Sequence, residues 1–286
     1  MPDATSTAAA TAQNVLRDLA AIRATNPVVL SITNYVVTNT TANALLAIGA
    51  SPIMSHAVEE MAELLAFSGA LVVNLGTVAP EYLAAMAPAW AAADKAVVPV
   101  VLDPVGAGAS RLRTVTPLAL LDSHKAFIIR GNASEIMALA GASGATTVAS
   151  TSASTSAPKG VDSTALSEEA ADFASALARR HNCAVVVSGE VDIVCAGQTQ
   201  ARVLGGSALM PRVTGLGCTA TAICGAFAAV NPDPFEAALH ACVAMKVAGE
   251  MAADKASGPG TLQLYLYDAL YVMDEKDVRQ RIRVER

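Results

Sequence analysis

"AVVPVVLDPVGAGAS", Ala96–Ser110, runs from a β-branched apolar stretch into an aspartate and then a glycine-rich turn. A valine-rich run of this length, bounded by turn residues, reads as a strand buried on both faces. Four more stretches share its form: "PVVLSIT" (Pro27–Thr33), "ALVVNLGT" (Ala70–Thr77), "KAFIIRGN" (Lys125–Asn132) and "CAVVVSG" (Cys183–Gly189). Helical patterns lie between them: "TANALLAIG" stopping at Gly49, the segment holding Glu59 and Glu60 in its first turn, "APEYLAAMAPAWAAADK", "RTVTPLALLDS", "ASEIMALAGA" and "LSEEAADFASALARRHN". An amphipathic helix is expected over Ala10–Ala24. "VDIVCAG" and "TQARVLGG" read as a hairpin about "AGQ". The "GLGC" segment, "PFEAALHACVAMKVAGEMAADKA" and "GTLQLYLYDALYVM" supply the last helices. Strands alternating with helices predict an α/β fold with a largely parallel central sheet and helices on both faces. We expect a single domain over residues 1–286, carrying a flexible Ser/Thr/Ala-rich insertion at about 143–165 that has almost no apolar anchor.

Composition narrows the class. The chain is 53% hydrophobic but only 4% aromatic, which suits Ala-rich helices packed on Val-rich strands. The longest apolar run, Cys218–Val230, stops at "NPDP", too short to span a bilayer, so no membrane association is expected. With a net charge of −6 and basic residues clustered only in the terminal "RQRIRVER", there is no face for nucleic acid; that tail reads as a solvated end. No secretory signal is expected at the start. Five scattered cysteines without a C-x-x-C pair argue against disulfides or structural zinc and fit a reducing, cytoplasmic setting.

In open parallel sheets, sites form beyond the C-terminal strand ends. "ITN", "LGT", "DPVGAG", "RGNASE", "SGE" and "GLGC" all fall there and converge on one rim. "GLGCTA" matches the dinucleotide pattern weakly, and "DPVGAGAS" lacks the Gly-Lys ending of a P-loop. The remaining parts suit phosphoryl transfer. The amides of Gly215, Leu216, Gly217 and Cys218 at a helix start form an anion cradle. Asp103 and Glu135 are carboxylates able to bind Mg²⁺ through water, and Arg130 can grip a phosphate. On residues alone, Cys218 reads as nucleophile, base, metal ligand or packing; its helix start favours a lowered thiol pKa, while the charge of a nearby triphosphate opposes ionisation.

Five segments in order make the chain resemble the hydroxyethylthiazole kinases of the ribokinase-like superfamily: "ITNYVVTNTTANALLAIGASPIMSHAVEEM", "DPVGAGAS", "IIRGNASEI", "SGEVDIV" and "TGLGCTATAICGAF". The resemblance extends from Val28 to about Met273. It implies a ribokinase-like fold, ATP as co-substrate, Mg²⁺, phosphorylation of the hydroxyl of 4-methyl-5-(2-hydroxyethyl)thiazole in thiamine biosynthesis or salvage, and a homotrimer with sites between subunits. It also implies substrate contacts at Asn34, Val36, Met54 and Gly215. ATP contacts would come from Arg130, Ser188 and Asp103, and Mg²⁺-associated acids would be Asp103 and Glu135. Ser188 stands where the family has threonine in "TGE", and the hydroxyl is kept. Cys218 occupies the position at which most ribokinase-like enzymes carry an aspartate base, so it is expected to be a weak base or a hydroxyl-positioning group. The rival readings are another ribokinase-like kinase or dehydratase, a cysteine-nucleophile amidohydrolase lacking an obvious histidine partner, and a non-catalytic binding protein.

Overall fold

The computed structural model describes residues 4–145 and 167–286, so most of the expected insertion at 143–165 lies outside the described residues. Six strands are parallel: β1 (Val28–Ile32), β2 (Ser51–Met54), β3 (Ala70–Asn74), β4 (Val100–Asp103), β5 (Ile128–Asn132) and β6 (Ala184–Ser188), in the spatial order β2-β1-β3-β4-β5-β6. β7 (Asp192–Ala196), β8 (Thr199–Val203) and β9 (Val284–Glu285) extend the sheet beyond β6 with antiparallel pairings. The β7–β8 pair is the hairpin that its sequence predicts.

The helices are α1 (Ala4–Thr25), α2 (Thr38–Ile48), α3 (Met61–Leu65), α4 (Pro80–Ala96), α5 (Arg111–Ser123), α6 (Ala133–Ala142), α7 (Ala171–His181), α8 (Leu216–Ala228), α9 (Pro234–Ala253), α10 (Pro259–Val272) and α11 (Glu275–Arg281). Glu59 and Glu60 fall in a 3₁₀ turn just ahead of α3 rather than inside it. Neither α11 nor β9 was legible as an element.

Strand alternation sorts the core into two. Val29, Val72, Val101, Ile128 and Val186 face one side, with α1, α2, α8 and α9. Leu30, Val73, Leu102, Ile129 and Val187 face the other, with α4, α6 and α7. Because side chains alternate faces along a strand, Asn74, Asp103, Arg130 and Ser188 share the first side with α8. That helix is almost wholly buried and rides close to the sheet. A Cβ on Gly225 would stand 2.9 Å from Val72 Cγ2 and 3.1 Å from Val29 Cγ1, so a larger residue there would lift the helix away.

The basic tail is largely solvent-exposed, as its sequence suggests, but it is ordered and ion-paired. β9 pairs with β8, Arg281 and Arg283 reach Glu250, and Arg286 reaches Glu236. Both acids belong to α9, more than 30 residues upstream, which is why the tail alone reads as unpaired charge.

Candidate active site

The rim of the parallel sheet gathers four polar side chains in a chain of hydrogen bonds. Asn74 closes β3 and Asp103 closes β4, and the two are partners in register. Asn74 Nδ2 donates to Asp103 Oδ2 at 2.7 Å. Asn74 Oδ1 accepts from Asn34 Nδ2 at 2.9 Å, and the same Asn34 nitrogen lies 3.5 Å from Cys218 Sγ. Thr221, one turn beyond Cys218 on α8, donates to Asp103 Oδ2 at 2.8 Å. Asn34, Asn74, Asp103 and Thr221 are all buried. Buried polar groups of this kind persist only when mutually satisfied, and a satisfied network fixes orientation.

The thiol is not activated. Burial first, and then the neighbouring Asp103 charge, push Cys218 up to about 12, against the hydrogen bonds from Asn74 and Asn34. The helix start does not lower this thiol as the sequence alone suggests, because desolvation outweighs the dipole. The side chains hydrogen-bonded to Cys218 are Asn34, Asn74 and the carboxyl of Asp103, and among the described residues no histidine is hydrogen-bonded to it.

Arg130 lies mid-strand in β5 rather than at its end. It is buried, and Nη1 donates to Gly217 O at 2.8 Å and to Thr221 Oγ1 at 3.4 Å. The guanidinium is thus held against the first turn of α8, beside the expected amide cradle. Gly215 caps that helix with no side chain to occupy its first amides. Its φ is +78° and a Cβ would collide with Val37 Cγ1, so only glycine fits. Uncapped amides at a helix start open to solvent at Gly217, with an arginine alongside, make a site for an anion.

Glu135 is committed to the backbone. It forms a capping box with Asn132, accepting from Asn132 N at 2.8 Å while Asn132 Oδ1 accepts from Glu135 N. Its second oxygen accepts from Gly106 N in the loop after β4, again at 2.8 Å. Burial first, then the Asp103 charge, raise Glu135 to about 7. Burial likewise raises Asp103 despite Arg130. Among the described residues no group of three or more His, Cys, Asp or Glu could hold a metal. A two-acid oxygen set fits Mg²⁺, which keeps several waters and takes much of its shell from phosphates. A cation there would also offset the burial of two acids.

The remaining expected residues stand further apart. Val36 is exposed on the rim beside Tyr35. Met54 ends the edge strand β2, in register with Ser31 of β1, and has no hydrogen bond to the network. Ser188 ends β6, its hydroxyl donating to Gly131 O at 3.1 Å. The sequence reading missed Asn74, Thr221 and Arg113. Arg113 donates to Leu75 O and Val105 O at 2.5 and 2.9 Å, tying the loops after β3 and β4 together. Only Asn74 carried a signal: it closes "ALVVN" as Asp103 closes "VVLD".

Comparison with known proteins bears on this arrangement. Residues 19–276 match the model of the Hydroxyethylthiazole kinase family. A hydroxyethylthiazole kinase of Nitratidesulfovibrio vulgaris (strain Miyazaki F) is 52% identical over 274 residues, covering 96% of this chain and 98% of the relative. The structure of a hydroxyethylthiazole kinase protein from Pyrococcus horikoshii superposes with a TM-score of 0.85 at 38% identity, covering 96% of this chain and 98% of that one. A pyridoxal kinase from Staphylococcus aureus in complex with pyridoxal matches at a TM-score of 0.61 and 14% identity, a likeness of fold.

Proposed function

The chain belongs to the hydroxyethylthiazole kinase family, and on that premise we propose how its residues share the transfer of a phosphoryl group from ATP to the hydroxyl of 4-methyl-5-(2-hydroxyethyl)thiazole. The enzyme is a phosphotransferase acting on an alcohol in thiamine biosynthesis and salvage.

Arg130 and the uncapped amides of Gly215–Cys218 receive the transferring phosphate. Their charge and dipole are already oriented, so they stabilise the negative charge that builds during transfer without reorganising. Ser188 meets the nucleotide at the end of β6. Asn34, Val36, Met54 and Gly215 bound the thiazole. Asp103 and Glu135 hold Mg²⁺ through water; when bound, the ion neutralises the phosphate charge. Cys218 accepts or donates a hydrogen bond to the substrate hydroxyl and aims it at the phosphate. A thiol held neutral suits this role, since the loose transition state of phosphoryl transfer asks little of a base. The observation that carries the reading is the continuous chain Asp103–Asn74–Asn34–Cys218 ending at the α8 amide cradle.

Three further readings accompany it. The chain acts as one domain. It works in the cytoplasm; among the described residues no helix is long and apolar enough to cross a membrane. It assembles as a trimer with sites between subunits, a reading supported by exposed Leu46, Phe67, Leu264 and Tyr271. Coupled ADP-release assays with Mg-ATP test the activity. ADP and a thiazole phosphate ester should appear together and only with the alcohol; no ester at saturating Mg-ATP contradicts the reading.

A further inference from the structure

Lys246 sits within α9, buried on the α8 side of the sheet. A buried ammonium is tolerated only if its donors are met. Lys246 Nζ donates to Gly189 O at 2.8 Å and to Glu190 O at 2.9 Å, and lies 3.3 Å from Asp192 Oδ1. The same Asp192 oxygen accepts from Gly189 N at 3.0 Å. Gly189 and Glu190 belong to the turn that joins β6 to β7, directly after Ser188, and Asp192 opens β7 at the end of that turn. On its other flank the lysine stem is covered by the segment leading toward Gly215. A Cβ at Gly206 would lie 3.1 Å from Lys246 Cδ and 3.0 Å from Met210 Sδ. One side chain therefore bolts α9 to the turn and packs under the approach to the anion cradle.

The geometry has a consequence for the turn. The peptides are trans, so each amide N–H points opposite its carbonyl. Two successive carbonyls drawn onto one ammonium turn the amides of Glu190 and Val191 away from α9. The cation also offsets the charge of Asp192, which is itself buried.

We propose that Lys246 is a positioning residue for the nucleotide, holding the Ser188–Asp192 turn in the one peptide orientation that receives it. This rests on the reading of Ser188 as an ATP contact. Lys246 acts through the turn and touches no reacting atom. Its conformational constraint is needed for binding of the nucleotide, not for the chemistry at the thiazole hydroxyl.

The test is steady-state kinetics on Lys246→Met, which keeps the stem and loses the ammonium, and Lys246→Arg, with Ser188→Ala and the distant His240→Gln alongside. Lys246→Met should raise KM for ATP about ten-fold, with kcat and KM for the alcohol changing less than about three-fold, and Lys246→Arg should recover part of the loss. His240→Gln should lower the melting temperature without moving KM for ATP. If Lys246→Met lowers the melting temperature and leaves KM for ATP unchanged, the residue is merely structural and the proposal fails. A rise in KM with Ser188→Ala alone overturns the Lys246 assignment while the nucleotide reading stands. No rise in either variant overturns both. Should Lys246→Met not fold, Asp192→Asn reads the same clamp: a higher KM for ATP is expected, and an unchanged one contradicts the proposal.

Discussion

Asn74 Nδ2 lies 2.7 Å from Asp103 Oδ2, and the two residues sit side by side in register at the ends of neighbouring strands. The asparagine amide has two polar ends. It donates to the acid and accepts from Asn34, so the position of Asp103 is passed to the residue that touches Cys218. Removing it breaks the chain at its centre and strips a donor from a buried carboxylate. Hydrogen bonds to charged groups contribute about 1.5–3 kcal/mol, so Asn74→Ala should lower kcat about ten- to a hundred-fold. KM for ATP should move less, because Arg130 and the α8 amides remain. Initial rates at varied ATP and alcohol check this.

Glu135 has two roles, and one substitution reads both. A glutamine carries no charge and has a single acceptor oxygen, so it can accept from Asn132 N or from Gly106 N but not from both. Glu135→Gln should melt below the parent, by about 1–3 kcal/mol for the one backbone amide left unmet, and should need about ten-fold more Mg²⁺ for half-maximal rate, as expected when one of two acids near the ion is neutralised. A titration of rate against Mg²⁺, run beside thermal melts, separates the two effects.

A second buried network holds the fold far from the site. His240 Nδ1 lies 2.6 Å from Asp18 Oδ2, which also accepts from Asn231, and His240 Nε2 lies 3.1 Å from Glu236. Burial alone would lower the His240 pKa, but Asp18 and Glu236 raise it overall. Burial alone would raise Asp18, but His240, Asn231 and Arg17 hold it below its usual range. The histidine's stabilisation is complete below its unfolded pKa of about 6.5 and fades as pH rises through the higher folded value. The aspartate's is complete above about 3.9 and fades as pH falls through its lower folded value. Their joint contribution is therefore greatest between about pH 4 and 6.5. His240→Leu should cost about 3–5 kcal/mol there, because it strands a buried carboxylate. Removing Asp18 as well should restore part of the loss. Denaturant melts across this range measure both.

Five of the six parallel strands, the two-sided helices and the converging rim were legible because each of those strands carries its own signature, a Val- or Ile-rich run ending in polar or glycine residues; the edge strand β2, "SPIM", has no such run. Asp103, Glu135, Gly215 and Cys218 were legible for the same reason, since each lies at a strand end or helix start; Arg130 stands mid-strand, directly before the "GN" that closes β5. Asn74, Thr221 and Lys246 were not. Each acts through a partner at least 29 residues away in sequence, Asn74 with Asp103 being the nearest such pair. Nothing in "MKVAG" announces that its lysine is buried against a turn more than 50 residues upstream. The ion pairs of the exposed tail were hidden for the same reason, since the acids that order it lie on α9. The thiol's high pKa is a property of its buried surroundings, while the helix start that argued for a low one was plain in "GLGC".

The central claim is that Cys218 aims the substrate hydroxyl as a neutral group. Cys218→Ser tests it most directly. A serine hydroxyl can make the same hydrogen bonds with Asn34 and Asn74 but does not ionise near neutral pH. The account predicts that Cys218→Ser keeps kcat within about ten-fold of the parent, with Cys218→Ala lower and KM for ATP little changed in both. Loss of a working general base typically costs on the order of 10²–10⁴-fold. A serine variant reduced to that degree, or a phosphorylated Cys218 seen by mass spectrometry during turnover of the parent enzyme, would contradict it.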